Sequence, residues 1–302
     1  MSPGEGVSPI ERLHAVMAKL ALTEADALVE SRLERAGREE LSYGEFLLDL
    51  LESELQARTD RNLQTRLKLA KLPYRKALES FDFGFQPSID ERKIRELRTL
   101  RWVHEAANVI FLGPPGVGKT HLSIALSIEA MKAGASAYFV TAADLVSDLT
   151  ASRQEGKLTQ RLQIYVRPKV LVIDEIGYLP LDPLGGTLLF QLVSARYERG
   201  SIVLTSNKSY GEWGAVFGDP VLATAILDRL LHHSTTLNIR GKSYRLKERE
   251  KAGLFPPPTS ASGEAVRFPD PAPPAKGPST PAAPPREEAS LEAAEPSRDG
   301  SD

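Results

Sequence analysis

Cysteine is missing from this 302-residue chain, which excludes disulfides and thiolate metal sites and is typical of proteins from a reducing compartment. The chain has no run of about 18 apolar residues, and its amino terminus has no apolar signal core. The chain also lacks an excess of one charge, since its formal net charge is −2. The net charge therefore argues neither for nor against a nucleic-acid partner. These absences predict a soluble, cytoplasmic protein that does not enter a membrane.

The net charge of the whole chain averages over three regions that differ in composition. Residues 1–78 have helical apolar spacing, residues 79–251 alternate between strand and helix signals, and residues 252–302 are rich in proline, alanine and acids. Twelve of the 22 prolines lie between Pro256 and Pro296, and such a segment cannot bury enough apolar area to offset its ordering entropy. We therefore predict a helical domain, an α/β domain and a disordered acidic tail.

The helical region is predicted to contain helices at 10–29 and 43–55, separated by a polar stretch at 30–40. A basic stretch with helical spacing follows at 58–76, and Pro73 is predicted to end its helix. Its basic face can lie along a phosphate backbone or an acidic partner, and it can equally be an ordinary solvated surface. The basic residues that we single out are Arg58, Arg61, Arg66, Lys68, Lys71 and Arg75.

A glycine-rich sequence at 113–120, Gly-Pro-Pro-Gly-Val-Gly-Lys-Thr, lies between an apolar run at 108–112 and a helical pattern at 121–130. A nucleotide-phosphate loop requires this strand, loop and helix context, in which backbone N–H groups and a helix start face an anion. Lys119 is predicted to reach the β- and γ-phosphates, and the Thr120 hydroxyl to ligate Mg²⁺. The predicted ATP-binding residues are Gly113, Pro114, Pro115, Gly116, Val117, Gly118, Lys119, Thr120 and His121.

Further strands are predicted at 135–140, 169–175 and 201–207, with a helix at 142–151, which indicates a parallel sheet. Asp174 and Glu175 end the second of these strands, and the carboxyl ends of strands are where such sheets bind ligands. Asp174 is predicted to hold Mg²⁺, and Glu175 to orient or deprotonate the attacking water. Asn207 ends the third strand, where it can hold that water or contact the γ-phosphate.

A helical pattern at 223–233 contains Asp228 and Arg229. Arg229 can act as a finger that reaches the γ-phosphate of a neighbouring subunit. It can also form a local surface pair with Asp228, which contributes little stability. The residues alone favour the surface pair.

Longer runs carry a recognisable family pattern, and the most specific are Asp-Glu-Ile-Gly-Tyr-Leu-Pro at 174–180 and Gly-Lys-Ser-Tyr-Arg at 241–245. Through them the chain resembles the IstB-like ATP-binding proteins, helper ATPases of bacterial insertion sequences, and the related DnaC-type helicase loaders. The similarity extends over about residues 41–251 and also includes the runs at 81–83, 139–145, 189–199, 205–207, 211–213, 217–219 and 227–232.

The resemblance implies an AAA+ ATPase with strand order 5-1-4-3-2 and little or no lid. Such a protein hydrolyses ATP with Mg²⁺, assembles as a ring or spiral on duplex DNA, bends its target and activates a partner transposase. The resemblance makes Asn207 the first sensor and Arg229 the finger in trans, and it gives the basic helix a DNA-binding role. No second-sensor arginine follows the fifth strand, for which Arg245 can substitute, and the position of Phe81 and Phe83 just before the core would let them wall part of the adenine pocket.

Three other functions stay open at this point. A helicase loader could use the same ATPase core, and it would bind single strands and a replicative helicase instead of duplex DNA and a transposase. A scaffold that binds ATP without hydrolysing it is disfavoured by Glu175 and Asn207. A small-molecule kinase would not need the paired acids, the arginine finger or the basic helix.

Overall fold

The computed structural model describes residues 8–251, together with the side chains of residues 8–247, so the predicted disorder of residues 252–302 lies outside the described residues. The strands are β1 (Asn108–Leu112), β2 (Ala137–Thr141), β3 (Val170–Ile176), β4 (Ser201–Ser206) and β5 (Ser234–Asn238). The helices are α1 (Pro9–Lys19), α2 (Thr23–Glu39), α3 (Tyr43–Leu69), α4 (Glu91–Arg98), α5 (Arg101–His104), α6 (Lys119–Lys132), α7 (Ala142–Gln154), α8 (Leu158–Val166), α9 (Pro183–Arg196), α10 (Trp213–Phe217), α11 (Pro220–Leu231) and α12 (Tyr244–Lys251).

All five strands are parallel, and their order in the sheet is β2-β3-β4-β1-β5. This confirms the AAA+ strand order of 5-1-4-3-2. Helices cover both faces, so alternate residues of one strand enter two different apolar clusters. In β1, Val109 and Phe111 face one cluster, whereas Ile110 and Leu112 face the other.

The amino-terminal region departs from the predicted helix boundaries. The helix predicted at 10–29 is interrupted between α1 and α2, where Ala21 adopts a positive φ of 54°. The polar stretch at 30–40, predicted as a separator, is mostly the second half of α2. Its arginines and glutamates favour helix, and pairs such as Arg35 with Glu39 at 2.9 Å lie on neighbouring turns.

A single helix, α3, includes both the predicted helix at 43–55 and the first part of the basic stretch. It ends at Leu69, four residues before Pro73, because Lys71 adopts a positive φ of 52°. Leu63 and Leu67 pack against the apolar cluster on one face of the sheet. The carbonyl of Ala70 then accepts the backbone N–H of Phe139 in β2 at 2.8 Å. The end of α3 is thus attached directly to the sheet.

Within residues 8–251, no helix is both long enough and apolar enough to cross a bilayer.

Candidate nucleotide site

The glycine-rich loop connects β1 to α6 and turns tightly at two glycines. Gly116 and Gly118 have φ values of 81° and 101°, which other residues rarely adopt. A Cβ atom at Gly116 would lie 2.0 Å from the hydroxyl oxygen of Ser243, and one at Gly118 would lie 2.5 Å from Cε2 of Phe81. Two segments remote in sequence therefore contact the loop, and only glycine fits beneath them.

Lys119 is the charged residue of this loop and is 5% exposed. Its Nζ donates to the carbonyls of Gly113 at 2.7 Å and Pro114 at 2.8 Å. Burial lowers the pKa of Lys119 to about 8, although the charges of Asp174 and Glu175 oppose this shift. An ammonium group held inside a loop of backbone amides is well suited to bind a polyphosphate.

Asp174 forms the centre of a hydroxyl and carboxylate network. Thr120 donates its hydroxyl to both carboxylate oxygens of Asp174, at 3.0 and 3.1 Å. Thr205, from β4, donates to Oδ1 of Asp174 at 2.5 Å and accepts the backbone N–H of Glu175 at 2.9 Å. Carboxylate and hydroxyl oxygens are the ligands that Mg²⁺ prefers, so Thr120 and Asp174 fit the predicted metal site. Sequence reasoning missed Thr205, whose only signal was its position in the Thr-Ser-Asn end of a strand.

Glu175 has an unusual backbone conformation for a residue other than glycine, with φ at 65°. The pairing of β3 with β4 is irregular here, between Ile173 and Ile176. Irregularities of this kind redirect a side chain and are frequent beside active sites. The side chain of Glu175 is exposed, whereas that of Asp174 is buried. The two acids therefore occupy different environments, as a metal ligand and an acid that contacts water require.

Asn207 directly follows β4 and lies beside the loop that follows the two acids. Its Oδ1 would be 3.2 Å from a Cβ atom at Gly177, two residues after Glu175. This oxygen is buried and has no hydrogen-bond partner among residues 8–247. A buried, unpaired amide oxygen next to an acid pair can accept a hydrogen bond from water or a ligand.

The segment before α4 forms an aromatic wall at the start of α6. The ring of Phe81 lies 4.8 Å from that of Phe83 and 5.1 Å from that of His121, measured between centroids. The imidazole of His121 lies within 3.0 Å of the carbonyl of Ala77, and burial lowers its pKa. His121 thus joins this segment to the phosphate loop. An adenine-binding role for Phe81 and Phe83 stays a prediction.

A short helix, α12, begins at the phosphate loop. The backbone N–H of Tyr244 donates to the carbonyl of Gly116 at 2.9 Å. Burial is the main cause of the lowered pKa of Lys119, and the charge of Arg245 adds to this lowering. Burial raises the pKa of Tyr74, and the charge of Arg245 opposes that rise. Arg245 therefore lies near the phosphate loop of its own chain. Tyr74, in the connection between α3 and the sheet, also senses the charges of this site, and sequence reasoning did not identify it as a site residue.

Arg229 lies at the other end of the sheet. Its guanidinium stacks 4.6 Å from the centroid of Phe190 and donates to the carbonyl of Ala225 at 3.1 Å. Among the described side chains it forms no salt bridge within 4.0 Å, so a surface pair with Asp228 is not observed. The side-chain amide of Asn108, the first residue of β1, donates to the carbonyl of Leu230 at 3.0 Å, and Leu230 directly follows Arg229 in the chain. The phosphate loop begins after the last residue of β1, and the rise per strand residue puts it roughly 16 Å from Asn108.

The predicted basic stretch at 58–76, which continues past the end of α3, is partly engaged within the chain. Arg58 and Arg61 lie 3.4 and 3.0 Å from the carboxylate of Glu54, which is 3% exposed. Arg66 donates to the carbonyl of Met131 at 3.5 Å. Lys71 lies over the ring of Tyr138, at 5.5 Å from its centroid. Lys68 and Arg75 are exposed. A DNA-binding role for these six residues stays a prediction.

Comparison with known proteins identifies relatives over most of the described chain. The family described as IstB-like ATP binding protein matches residues 15–252. A Geobacillus stearothermophilus protein named as an ATP-binding protein of insertion sequence IS5376 is 52% identical over 79% of this chain and 95% of its own length. A Pseudomonas aeruginosa protein named as an ATP-binding protein of insertion sequence IS21 is 50% identical over 82% of this chain and 93% of its own length. The crystal structure of the DnaC helicase loader is 26% identical over 56% of this chain and 96% of that one, with a TM-score of 0.43.

Proposed function

Because the chain belongs to the IstB-like ATP-binding protein family, we propose that it is the helper ATPase of an insertion sequence. It binds ATP with Mg²⁺, assembles as a homo-oligomer on duplex DNA, remodels the target DNA and activates a partner transposase. Hydrolysis of ATP controls the assembly. The names of relatives that share half of its residues support the insertion-sequence context.

The observation that carries the ATPase proposal is the arrangement of Thr120, Asp174 and Glu175. Thr120 and Asp174 place hydroxyl and carboxylate oxygens beside the phosphate loop, where bound Mg²⁺ would supply charge that stabilises the phosphoryl oxygens. Lys119 binds the phosphates. Glu175, whose side chain is exposed whereas that of Asp174 is buried, orients the attacking water, and Asn207 accepts a hydrogen bond from that water.

The position of Arg229 supports an assembly that completes the site between subunits. Arg229 lies at the amino end of β1, and the phosphate loop follows the carboxyl end, so its side chain cannot reach the phosphates of its own chain. An arginine finger must therefore come from a neighbouring copy. ATP bound between two copies makes the oligomer dependent on nucleotide.

The helix α3 is the proposed DNA contact. Its basic residues, above all the exposed Lys68, together with the exposed Arg75 in the connection that follows α3, would bind phosphates without reading the base sequence. Because the end of α3 is bonded to β2 through Ala70 and Phe139, a helix held by DNA would be attached to the ATPase sheet. Binding of this kind weakens steeply as the salt concentration rises.

The experiment compares the wild type with Glu175→Gln on duplex and single-stranded DNA, with ATP, ADP or no nucleotide. Assembly is followed by electron microscopy and mass photometry, and ATP turnover is measured in parallel. We expect ring or spiral assemblies only with ATP and duplex DNA, and we expect Glu175→Gln to trap them because hydrolysis no longer releases them. Glu155→Gln removes an exposed carboxylate in the connection after α7 and is the matched control.

The outcomes separate the possible functions. If neither ATP nor Glu175→Gln changes duplex binding or particle size, the helper function is wrong. Preferential binding of single strands and of a replicative helicase would indicate a helicase loader. Nucleotide-dependent assembly without measurable turnover would indicate a scaffold. Stimulation of strand transfer by a purified insertion-sequence transposase completes the test.

A further inference from the structure

One hydroxyl group joins the two acids at the end of β3. Thr205 donates this hydroxyl to Asp174 and accepts the backbone N–H of Glu175 with the same oxygen. Thr205 is 1% exposed, so its side chain is shielded from solvent. We propose that Thr205 is a positioning residue for ATP hydrolysis, which orients the Asp174 carboxylate and holds Glu175 in the backbone conformation that aims its side chain. The catalytic part of this inference rests on the proposed ATPase function.

The chemistry of the position requires a hydroxyl. Asp174 offers only hydrogen-bond acceptors when ionised, and the backbone N–H of Glu175 is only a donor. A hydroxyl donates and accepts at once, so one side chain can serve both acids. The branched Cβ of Thr205 also restricts the rotation of its side chain, which fixes the direction of the hydroxyl.

The backbone of Glu175 needs such a restraint. A φ of 65° is rare for residues other than glycine and persists only where surrounding contacts hold it. The regular pairing of β3 with β4 is interrupted between Ile173 and Ile176. Within this interruption, Thr205 binds the N–H of Glu175. Without that bond, Glu175 would be free to return to a common backbone conformation, and its carboxylate would point elsewhere.

The same network extends to the phosphate loop. Thr120 donates to both oxygens of Asp174, one of which also accepts the hydroxyl of Thr205. A change in the bonding of Thr120 therefore acts on Asp174, and through Thr205 it acts on the backbone of Glu175. In this arrangement the residue that contacts water is positioned together with the residue that holds the metal.

The test compares Thr205→Val, which keeps the shape and removes the hydroxyl, with Thr205→Ser, which keeps the hydroxyl. The matched control is Thr236→Val, which removes a half-buried hydroxyl, bonded to that of Tyr210 at 2.7 Å, from β5 of the same sheet. We expect Thr205→Val to lower kcat about 10- to 100-fold, the usual cost of losing a residue that orients a ligand of the metal. The Kd for nucleotide should change less than about threefold, since the phosphate loop is intact.

A second readout does not require catalysis. Hydrogen exchange of the Glu175 amide, measured by NMR or by mass spectrometry of a peptide that includes it, should be at least about tenfold faster in Thr205→Val, because its acceptor is lost. Thr205→Ser should restore both exchange and turnover, and Thr236→Val should change neither. If Thr205→Val does not fold, Thr205→Ala takes its place in both measurements.

Two results would overturn the proposal. One is wild-type exchange at Glu175 in the variant that lacks the hydroxyl. The other is a loss in Thr205→Ser as large as that in Thr205→Val, which would assign the effect to packing of the methyl group. A wild type that hydrolyses no ATP would instead contradict the ATPase function, and the exchange measurement would still decide whether Thr205 holds Glu175.

Discussion

Glu54 and Arg61 form an ion pair across two turns of α3, with 3.0 Å between Oε1 and Nη2. The other carboxylate oxygen of Glu54 accepts the backbone N–H groups of Glu24 at 2.7 Å and Ala25 at 3.2 Å. The helix α2 has no side-chain cap from its own N-cap residue, Leu22. Glu54 therefore caps a helix that begins 31 residues earlier in the chain, at Thr23, and Arg58 and Arg61 offset its charge.

This relationship predicts how the stability of the amino-terminal helices depends on pH. Burial opposes ionisation of Glu54, but the N–H groups of Ala25 and Glu24 and the charges of Arg61 and Arg58 hold its pKa below the ordinary value of 4.5. Its contribution is fully present above 4.5 and is lost as the pH falls through the lower folded pKa. Glu54→Gln should lower the Tm by several degrees at pH 7, and less at pH 3, in circular dichroism melts. An equal loss at both values would contradict the assignment.

The same ion pairs predict an unequal contribution of the basic residues to DNA binding. Arg58 and Arg61 share the single carboxylate of Glu54, whereas Lys68 is exposed. Lys68→Ala should reduce the slope of log K against log salt by about 1, and Arg61→Ala should reduce it by less. Fluorescence anisotropy with a labelled duplex at several salt concentrations measures both slopes. Equal slopes for the wild type and Lys68→Ala would exclude Lys68 as a phosphate contact.

Lys119 predicts a pH dependence of nucleotide binding. Burial lowers its pKa to about 8. Nearly all of the side chain is therefore protonated below pH 7, and the protonated fraction falls as the pH rises through about 8. Because ATP binds the protonated form, the Kd should rise by up to about tenfold per pH unit above that value, until the pKa of the complex is reached. Lys119→Arg removes this titration, and a fluorescent ATP analogue reports the Kd. Lys132→Arg, on the same helix, should leave the profile unchanged.

Arg229 predicts complementation between two inactive variants. Arg229→Ala should lower turnover about 10³-fold or more and leave nucleotide binding intact, because a finger acts on the charge of the transition state. Mixing Arg229→Ala with Glu175→Gln should restore part of the activity, since some interfaces then contain an intact Glu175 and an intact Arg229. Arg199→Ala is the control. No recovery at any mixing ratio would place Arg229 outside the shared site.

Arg196 predicts a large loss of stability that has no direct link to catalysis. Its buried guanidinium donates to five backbone carbonyls, those of Tyr165, Val166, Pro168, Lys169 and Ser201, and so joins α8 and α9 to the strands. Arg196→Met should lower the free energy of unfolding by about 3 to 5 kcal/mol, because these carbonyls lose their donors in the core. Urea unfolding measures the change. Arg199→Met, at an exposed site, should alter it by less than about 0.5 kcal/mol.

The sequence predicted the features that depend on neighbouring residues. The phosphate loop, the strand ending in Asp174 and Glu175, and Asn207 all follow from short patterns in which the strand end and the polar residue are adjacent. The strand order came from the family resemblance, since local patterns do not specify which strands are neighbours.

Features that depend on distant contacts were not predicted. The break at Ala21 requires a positive φ at an alanine, for which composition gives no signal. Glu54 caps a helix from another part of the chain, and Thr205 acts across two strands through a local irregularity in their pairing. For Glu54 and Thr205 the decisive partner is about 30 residues away, so helical or strand periodicity could not identify it.

The opposite placement of Arg229 and the phosphate loop along β1 gives an assembly of this protein a direction. In the proposed assembly, each copy would offer a phosphate loop to one neighbour and Arg229 to the other, so such contacts would join unlike surfaces. An open row has one terminal copy with an incomplete site, and its two ends are chemically different. Addition and loss of subunits would then proceed at different rates at the two ends, and turnover per subunit would rise with the length of the row.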